Sequence, residues 1–113
     1  MPANRASHDA LGQAVRDLRQ AAQENLTRTQ EILDRLDRIE ARLAAGDPVT
    51  DVVVGEPAPR IVEMLSLNMV ALETRGADFR VAQARSLHDE GMTMDVIAEL
   101  FGVSRQRISA LLR

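Results

Sequence analysis

The chain is 113 residues long, 45% of them hydrophobic, and its formal net charge at pH 7 is −3. This length allows one small domain with an extension, and the absence of cysteine excludes a disulfide framework and a thiolate metal site. Because there is neither a long apolar run nor a basic segment followed by an apolar one, we expect a cytoplasmic protein without a membrane span or signal peptide.

The first predicted element is a long amphipathic helix within residues 1–45. Its apolar positions follow one another in alternating steps of four and three, which is the seven-residue repeat of a coiled coil. The helix is expected to begin at Ser7 or Asp9 and to end before Gly46. We therefore assign residues 1–45 to a coiled-coil oligomerisation helix, with a homodimer formed through residues 11–43. The seam consists of Leu11, Val15, Leu18, Ala22, Asn25, Thr29, Ile32, Leu36, Ile39 and Leu43.

The middle layers of this seam are small or polar, with Ala22, Asn25 and Thr29 where leucine is the usual residue. A buried asparagine in a coiled coil lowers stability but fixes register and strand number. Leu26 and Leu33 lie beside the seam and widen the apolar stripe beyond a two-stranded interface. Three arrangements fit the pattern. The one we favour is a dimer whose broad flank receives the 61–72 segment; the others are a trimer or tetramer, and an intramolecular hairpin in which residues 7–45 fold back onto the C-terminal half of their own chain.

The prolines and glycines of residues 46–60 predict a linker. Within it, Val52-Val53-Val54 either forms a short strand or docks on the core, and Pro59 suits the first turn of a following helix.

Residues 61–113 are expected to form a helical DNA-binding domain. The segment 61–72 is apolar nearly all round, so it must be buried against something. Gly76 is expected to break the chain before a support helix over residues 78–90. The residues available for the inner face of that helix are Phe79, Val81, Ala82, Ala84 and Leu87.

Residues 93–113 have the pattern of two short helices joined by a three-residue turn. Ala98 is small where the two helices approach, and Gly102 suits a left-handed backbone at the end of the first helix. Thr93 and Ser104 suit the N-cap positions of the two helices. The apolar core between the helices is expected to contain Ile97, Phe101, Val103, Ile108 and Leu111.

The run Gly91-Met-Thr…Ile97-Ala98…Phe101-Gly-Val-Ser104-Arg-Gln-Arg-Ile108 resembles the helix-turn-helix superfamily of DNA-binding proteins. It is similar to region 4 of bacterial sigma factors and to the C-terminal domain of site-specific resolvases. The resemblance covers about residues 77–113 and implies nothing about the rest of the chain. Proteins of this superfamily place the second helix in the major groove of DNA, so the resemblance implies that role for residues 104–112.

The distribution of charge favours the C-terminal end as the DNA-binding surface. The final ten residues contain three arginines and no acidic residue, whereas residues 46–76 contain two arginines against five acidic residues. So small a basic patch predicts modest affinity for each monomer and a need for more than one copy.

We expect Gln106 and Arg105, at the start of the second helix, to contact base edges. Ser109 shares the outer face of that helix. The residues expected to hold phosphates are Thr93, Ser104, Arg107 and Arg113.

The expected function is that of a sequence-specific transcriptional regulator that binds double-stranded DNA and is associated with the nucleoid. Two alternatives remain open: a coiled-coil adaptor that docks on a protein partner, which the low net charge favours, and an architectural protein that coats DNA. We expect no enzymatic activity, cofactor or metal, because His8 and His88 lie in different segments and no glycine-rich phosphate loop is present.

Overall fold

The computed structural model describes the backbone of residues 2–113 and the side chains from Arg5 onward. Met1, the first residue of the predicted coiled-coil segment, lies outside the described residues. Residues 2–113 form five helices and no strand, which confirms the predicted all-α fold with a long N-terminal helix. The helices are α1 (Pro2–Ala44), α2 (Val49–Val54), α3 (Ile61–Asp89), α4 (Met94–Phe101) and α5 (Arg105–Leu111).

The contacts within the chain divide it into two compact units, each of which includes a stretch of α1 and a stretch of α3. The hairpin unit is Ala21–Leu72, and it contains α2. The terminal unit combines Met1–Gln20 with Glu73–Arg113, and it contains α4 and α5.

A polar cluster joins α1 to α3 inside the hairpin unit. The buried Asn25 side chain donates through Nδ2 to the backbone carbonyl of Asn68 at 2.9 Å. Arg28 donates to the side-chain oxygens of both asparagines, at 3.2 Å to Asn25 and 2.8 Å to Asn68. Asn68 donates in turn to the Thr29 hydroxyl at 3.2 Å. Because buried polar groups are costly without partners, this cluster fixes one register of α1 against α3.

A second set of contacts surrounds Arg35, which is only 9% exposed. Its guanidinium donates to the backbone carbonyls of Pro57 and Pro59, at 2.9 and 2.6 Å, and forms an ion pair with Glu31 at 2.9 Å. The carboxylate of Glu56 accepts from the amide of Ile61, where α3 begins. Arg35 therefore attaches the connection that precedes α3 to the side of α1.

These contacts show the fold-back arrangement for the hairpin unit, one of the three that the seam pattern allowed. Asn25 and Ile32, two members of the predicted dimer seam, are buried within their own chain, whereas Leu36 and Leu43 remain 45% and 48% exposed. The repeat identified a face of α1 that packs on a helix. It did not identify which helix, because an α-helix of the same chain satisfies that spacing as well as a second copy does.

Of the two alternatives for Val52-Val53-Val54, the strand is excluded, because the run is the second half of helix α2. Docking holds for Val52, the one residue of the three that is buried. The break expected at Gly76 is wrong. Gly76 does not break the chain but lies inside α3, which continues to Asp89. A glycine within a helix costs only about 1 kcal/mol relative to alanine, so it ends a helix only where the backbone also leaves the helical region. That condition is met at Gly91, whose φ is +99°.

Among the described residues, no helix combines the length and apolar character that crossing a bilayer requires.

Candidate nucleic-acid interface

Helix α4 has the predicted cap at each end. The Thr93 hydroxyl accepts a hydrogen bond from the amide of Val96 at 3.3 Å. At the other end Gly102 adopts a left-handed conformation with φ +67° and ψ +33°. The amides of Gly102 and Val103 donate to carbonyls of the last turn, to Glu99 at 3.3 Å and to Ala98 at 3.0 Å. This is a Schellman termination, and it turns the chain sharply after Phe101.

Three residues separate the end of α4 from the start of α5. Ser104 is its N-cap, with the hydroxyl oxygen accepting from the amide of Arg107 at 3.1 Å. The helix spans Arg105–Leu111, one residue shorter at each end than the predicted 104–112. Seven residues at about 1.5 Å rise give a rod roughly 10 Å long.

The core beneath α4 and α5 explains why the two helices hold a fixed relation. Ile97 and Ile108 are fully buried, and Ala98 and Ala84 complete the cluster, so that α3, α4 and α5 share one core. Of the predicted core residues, Val103 is wrong: it is 41% exposed because it lies in the turn after Gly102. The side chains packed around the cluster are Leu87, Met92, Met94, Phe101, Leu111 and Leu112.

The face of α5 opposite Ile108 is the exposed surface of this helix pair. At about 100° per residue, Gln106 lies on the side of α5 away from the buried Ile108. Gln106 is exposed, as is Ala110, whose methyl group leaves room for close approach of a partner. Ser109 is half-buried at the edge of this face. Arg113 is exposed as well, but it follows the C-cap Leu112 and so lies beyond the end of the helix rather than on its outer face.

Arg105 and Arg107 lie on opposite flanks of α5 and have different surroundings. Arg105 is 3.6 Å from the carboxylate of Asp95 in the first turn of α4, and both side chains are largely exposed. Exposed pairs of this kind contribute little to stability, so Arg105 can exchange Asp95 for another anion at small cost. Among the described side chains, no acidic residue forms an ion pair with Arg107. Arg107 lines a groove between α3, α4 and α5.

Two arginines of α3 join this surface, and the sequence analysis missed both. Arg80 lines the same groove as Arg107. The groove has a volume of about 540 Å³, and its lining includes the apolar side chains of Phe101 and Leu111. Arg85 donates to the backbone carbonyl of Arg113 at 3.1 Å. The signal available in the sequence was their place: both are arginines within the predicted support helix, residues 78–90.

The seven predicted site residues thus have four kinds of surroundings. Thr93 and Ser104 cap helices, so their hydroxyl oxygens are already acceptors within the chain. Gln106 and Arg107 are exposed on α5 and Arg113 is exposed just beyond it, whereas Arg105 is paired and Ser109 is half-buried. Over the described residues no cluster of three or more His, Asp or Glu side chains has the geometry of a metal site.

Comparison with protein-family models, with curated proteins and with solved structures finds no match to this chain.

Proposed function

We propose that the terminal unit binds double-stranded DNA, with α5 entering the major groove and the chain acting as a sequence-specific transcriptional regulator. In this proposal Gln106 contacts base edges, and Arg107 and Arg113 contact phosphates on either side of the groove. A nucleoid-associated location follows from the same proposal. No enzymatic step is proposed.

The observation that carries the proposal is the two-sided character of α5. One side is fixed by the fully buried Ile108, and the other exposes Gln106. The helix contains no acidic residue, and the exposed Arg113 follows directly after its C-cap. The B-DNA major groove is about 12 Å wide, so it accepts a helix of this diameter and length. Arg80, Arg85 and Arg107 add positive charge around the helix, and such charge is the main source of affinity for DNA.

The charges of the two units support the assignment of DNA binding to the terminal unit. Its side chains include nine arginines and eight acidic residues, a formal charge of +1. The hairpin unit has five arginines and nine acidic residues, a formal charge of −4. A polyanion is therefore attracted to the terminal unit and repelled by the hairpin unit.

The test is titration of labelled random-sequence duplex DNA with the full chain, followed by fluorescence anisotropy at several salt concentrations. We expect saturable binding that weakens as salt rises, and weaker binding for Arg107→Ala. The matched control is Arg19→Ala, which removes an exposed arginine from α1. Binding that is absent at low salt, or that Arg19→Ala reduces as much as Arg107→Ala does, contradicts the proposal.

A second candidate function, a protein-interaction adaptor, is favoured by the apolar side chains around the same groove. Leu100 is 63% exposed and Val103 is 41% exposed, and both line the groove beside Arg80 and Arg107. Exposed apolar residues ringed by arginines suit an amphipathic helix with an acidic edge. Under this function, the wild-type chain captures a stoichiometric protein partner and does not bind DNA. Leu100→Glu abolishes the capture of that partner.

A further inference from the structure

We propose that two copies of the chain associate through an apolar face of the hairpin unit, forming a four-helix bundle. The surface, termed here the leucine face, shares Leu36 and Leu43 with the seam that the sequence predicts, but its other members lie outside that seam. It consists of Leu26, Leu33, Leu36 and Leu43 on α1 with Val62, Leu65, Met69 and Leu72 on α3. This association is independent of DNA binding.

The leucine face follows from the spacing of its members. On α1 they fall at 26, 33, 36 and 43, and on α3 at 62, 65, 69 and 72, so both sets repeat in steps of three, four or seven. Each set therefore forms a stripe along one side of its helix. These are the positions that a helix presents to a neighbouring helix, yet all eight side chains are 43–72% exposed.

The two stripes lie on the same side of the hairpin. Asn25 contacts Asn68, and Arg35 contacts Pro59, so α1 and α3 run antiparallel within this unit. At about 100° per residue, each stripe is rotated by roughly 90° from the side of its helix that packs on the other, and in the same sense. Because the helices are antiparallel, equal rotations bring both stripes to one side.

The hairpin unit buries few apolar side chains for a unit of its size. Its buried apolar side chains are only Ala21, Ile32, Val52 and Met64. The exposed parts of the leucine face amount to on the order of 800 Å², one partner's share of a standard stable interface. The largest apolar patch on a typical monomer is about 300–600 Å². A layer of two helices with one apolar face requires a second layer against it.

A second copy fits this face better than a lipid or a nucleic acid. The hairpin unit has a formal charge of −4, with nine acidic residues against five arginines, so anionic lipid and DNA are repelled. A second copy has the same charge, but it also brings an apolar face of equal size and helical spacing, whose burial offsets the repulsion. Positions 29 and 40 continue the spacing of the α1 stripe between its exposed leucines. Of these two, only Glu40 is charged, and it lies towards one end of the stripe. Two such layers related by a two-fold axis give a four-helix bundle in which each face covers the other.

The chain offers a matched pair of residues for the test. Leu65 and Leu67 are both on α3 and are 48% and 49% exposed, but they lie on opposite flanks of the side that packs on α1. Leu65→Glu places a carboxylate in the proposed interface, whereas Leu67→Glu places the same group outside it. Leu33→Glu makes the corresponding change on α1.

The measurement is mass by light scattering on the purified full chain without DNA, over a wide range of protein concentrations. We expect the wild-type chain and Leu67→Glu to have twice the monomer mass of 12.4 kDa, and Leu65→Glu and Leu33→Glu to have the monomer mass. Circular dichroism checks that helix content is retained. Should the Glu variants unfold, the melting temperature of the wild-type chain decides, because it rises with concentration only for an associating protein.

Three results would overturn the inference. One is a wild-type chain that stays monomeric with a concentration-independent melting temperature. Another is a mass of three or more copies, which a two-fold bundle does not allow. The third is a dimer that Leu67→Glu disrupts and Leu65→Glu leaves intact, which would place the interface on the other flank of α3.

Discussion

Gln106 and Arg107 are neighbours on α5, but their positions around the helix suit them to different tasks in the proposed complex. Gln106 points away from the buried Ile108, so in the proposed complex it faces the floor of the DNA major groove. Arg107 lies on a flank of α5 and lines the protein groove that Arg80 also lines, where it would meet the phosphates at the edge of the DNA major groove. Amide side chains form paired hydrogen bonds with adenine, whereas arginine on a phosphate carries no sequence information.

We therefore expect Gln106→Ala to relax sequence preference and Arg107→Ala to weaken binding to all sequences. Loss of a base contact costs about 1–3 kcal/mol at the preferred site only, and loss of one phosphate contact lowers the salt slope by about one. Selection from a random duplex library followed by titration of the selected and scrambled sequences separates the two effects. The residue roles would be wrong if Arg107→Ala changed the selected sequence and Gln106→Ala lowered affinity for every duplex equally.

Gly102 allows a residue-scale prediction with a built-in control. A methyl group at Gly102 or at Gly76 meets no atom within 4 Å, so space is equal at the two sites. Of these two glycines, only Gly102 has a positive φ, +67°, a conformation in which a side chain costs about 1–2 kcal/mol. Urea unfolding at fixed protein concentration should show Gly102→Ala destabilised by about 1 kcal/mol and Gly76→Ala stabilised by about 0.5–1 kcal/mol. Equal effects of the two substitutions would exclude backbone strain as the cause.

At the scale of the elements, Arg35 connects the start of α3 to α1. We expect Arg35→Ala to lower the free energy of unfolding by about 2 kcal/mol, because hydrogen bonds from a charged group contribute about 1.5–3 kcal/mol and two carbonyls lose their donor. Arg38→Ala is the matched control, since Arg38 is exposed one turn away on α1. Urea unfolding monitored by circular dichroism measures both. A loss for Arg38→Ala equal to that for Arg35→Ala would show that only helix propensity is involved.

The elements that the sequence predicted correctly are those that local chemistry determines. Thr93, Gly102 and Ser104 act within one turn of their own position, so their roles as caps could be identified without knowledge of the fold. The C-terminal end of α1 and the start of α3 were likewise marked by Gly46 and the prolines before Ile61, whereas α1 begins at Pro2 and not at the expected Ser7 or Asp9.

The features that the sequence left open or missed depend mainly on contacts distant in sequence, and Val103 is the local exception. The burial of Asn25 depends on Asn68, 43 residues further along the chain, and spacing on α1 alone cannot distinguish that partner from a second copy. Arg80 and Arg85 join the site only because α3 supports α4 and α5. Val103 was assigned to the core from its apolar character, although the turn at Gly102 leaves it half exposed.

At the scale of the whole molecule, the opposite charges of the two units separate two tasks. The terminal unit, at +1, is suited to an anionic partner, and the hairpin unit, at −4, offers an apolar face to a second copy. A monomer whose terminal unit has so small a positive charge gains little affinity from phosphates alone. Linking two copies makes the second binding event intramolecular, which can raise overall affinity by about 10²–10⁴ without any new contact to DNA.

This coupling predicts how duplex length affects binding. A duplex of about 10 base pairs, one helical turn, accommodates one copy of α5, whereas about 30 base pairs accommodate both. The wild-type chain and Leu67→Glu should bind the long duplex far more tightly than the short one. Leu65→Glu should bind the short duplex with unchanged affinity, because it leaves the terminal unit intact, and should lose most of the advantage on the long duplex. Anisotropy titrations at one salt concentration measure all six affinities, and the ratio between variants cancels the larger number of positions that a longer duplex offers. A Leu65→Glu chain that is monomeric by light scattering yet keeps the full advantage would show that the two copies are not coupled through the leucine face when DNA is bound.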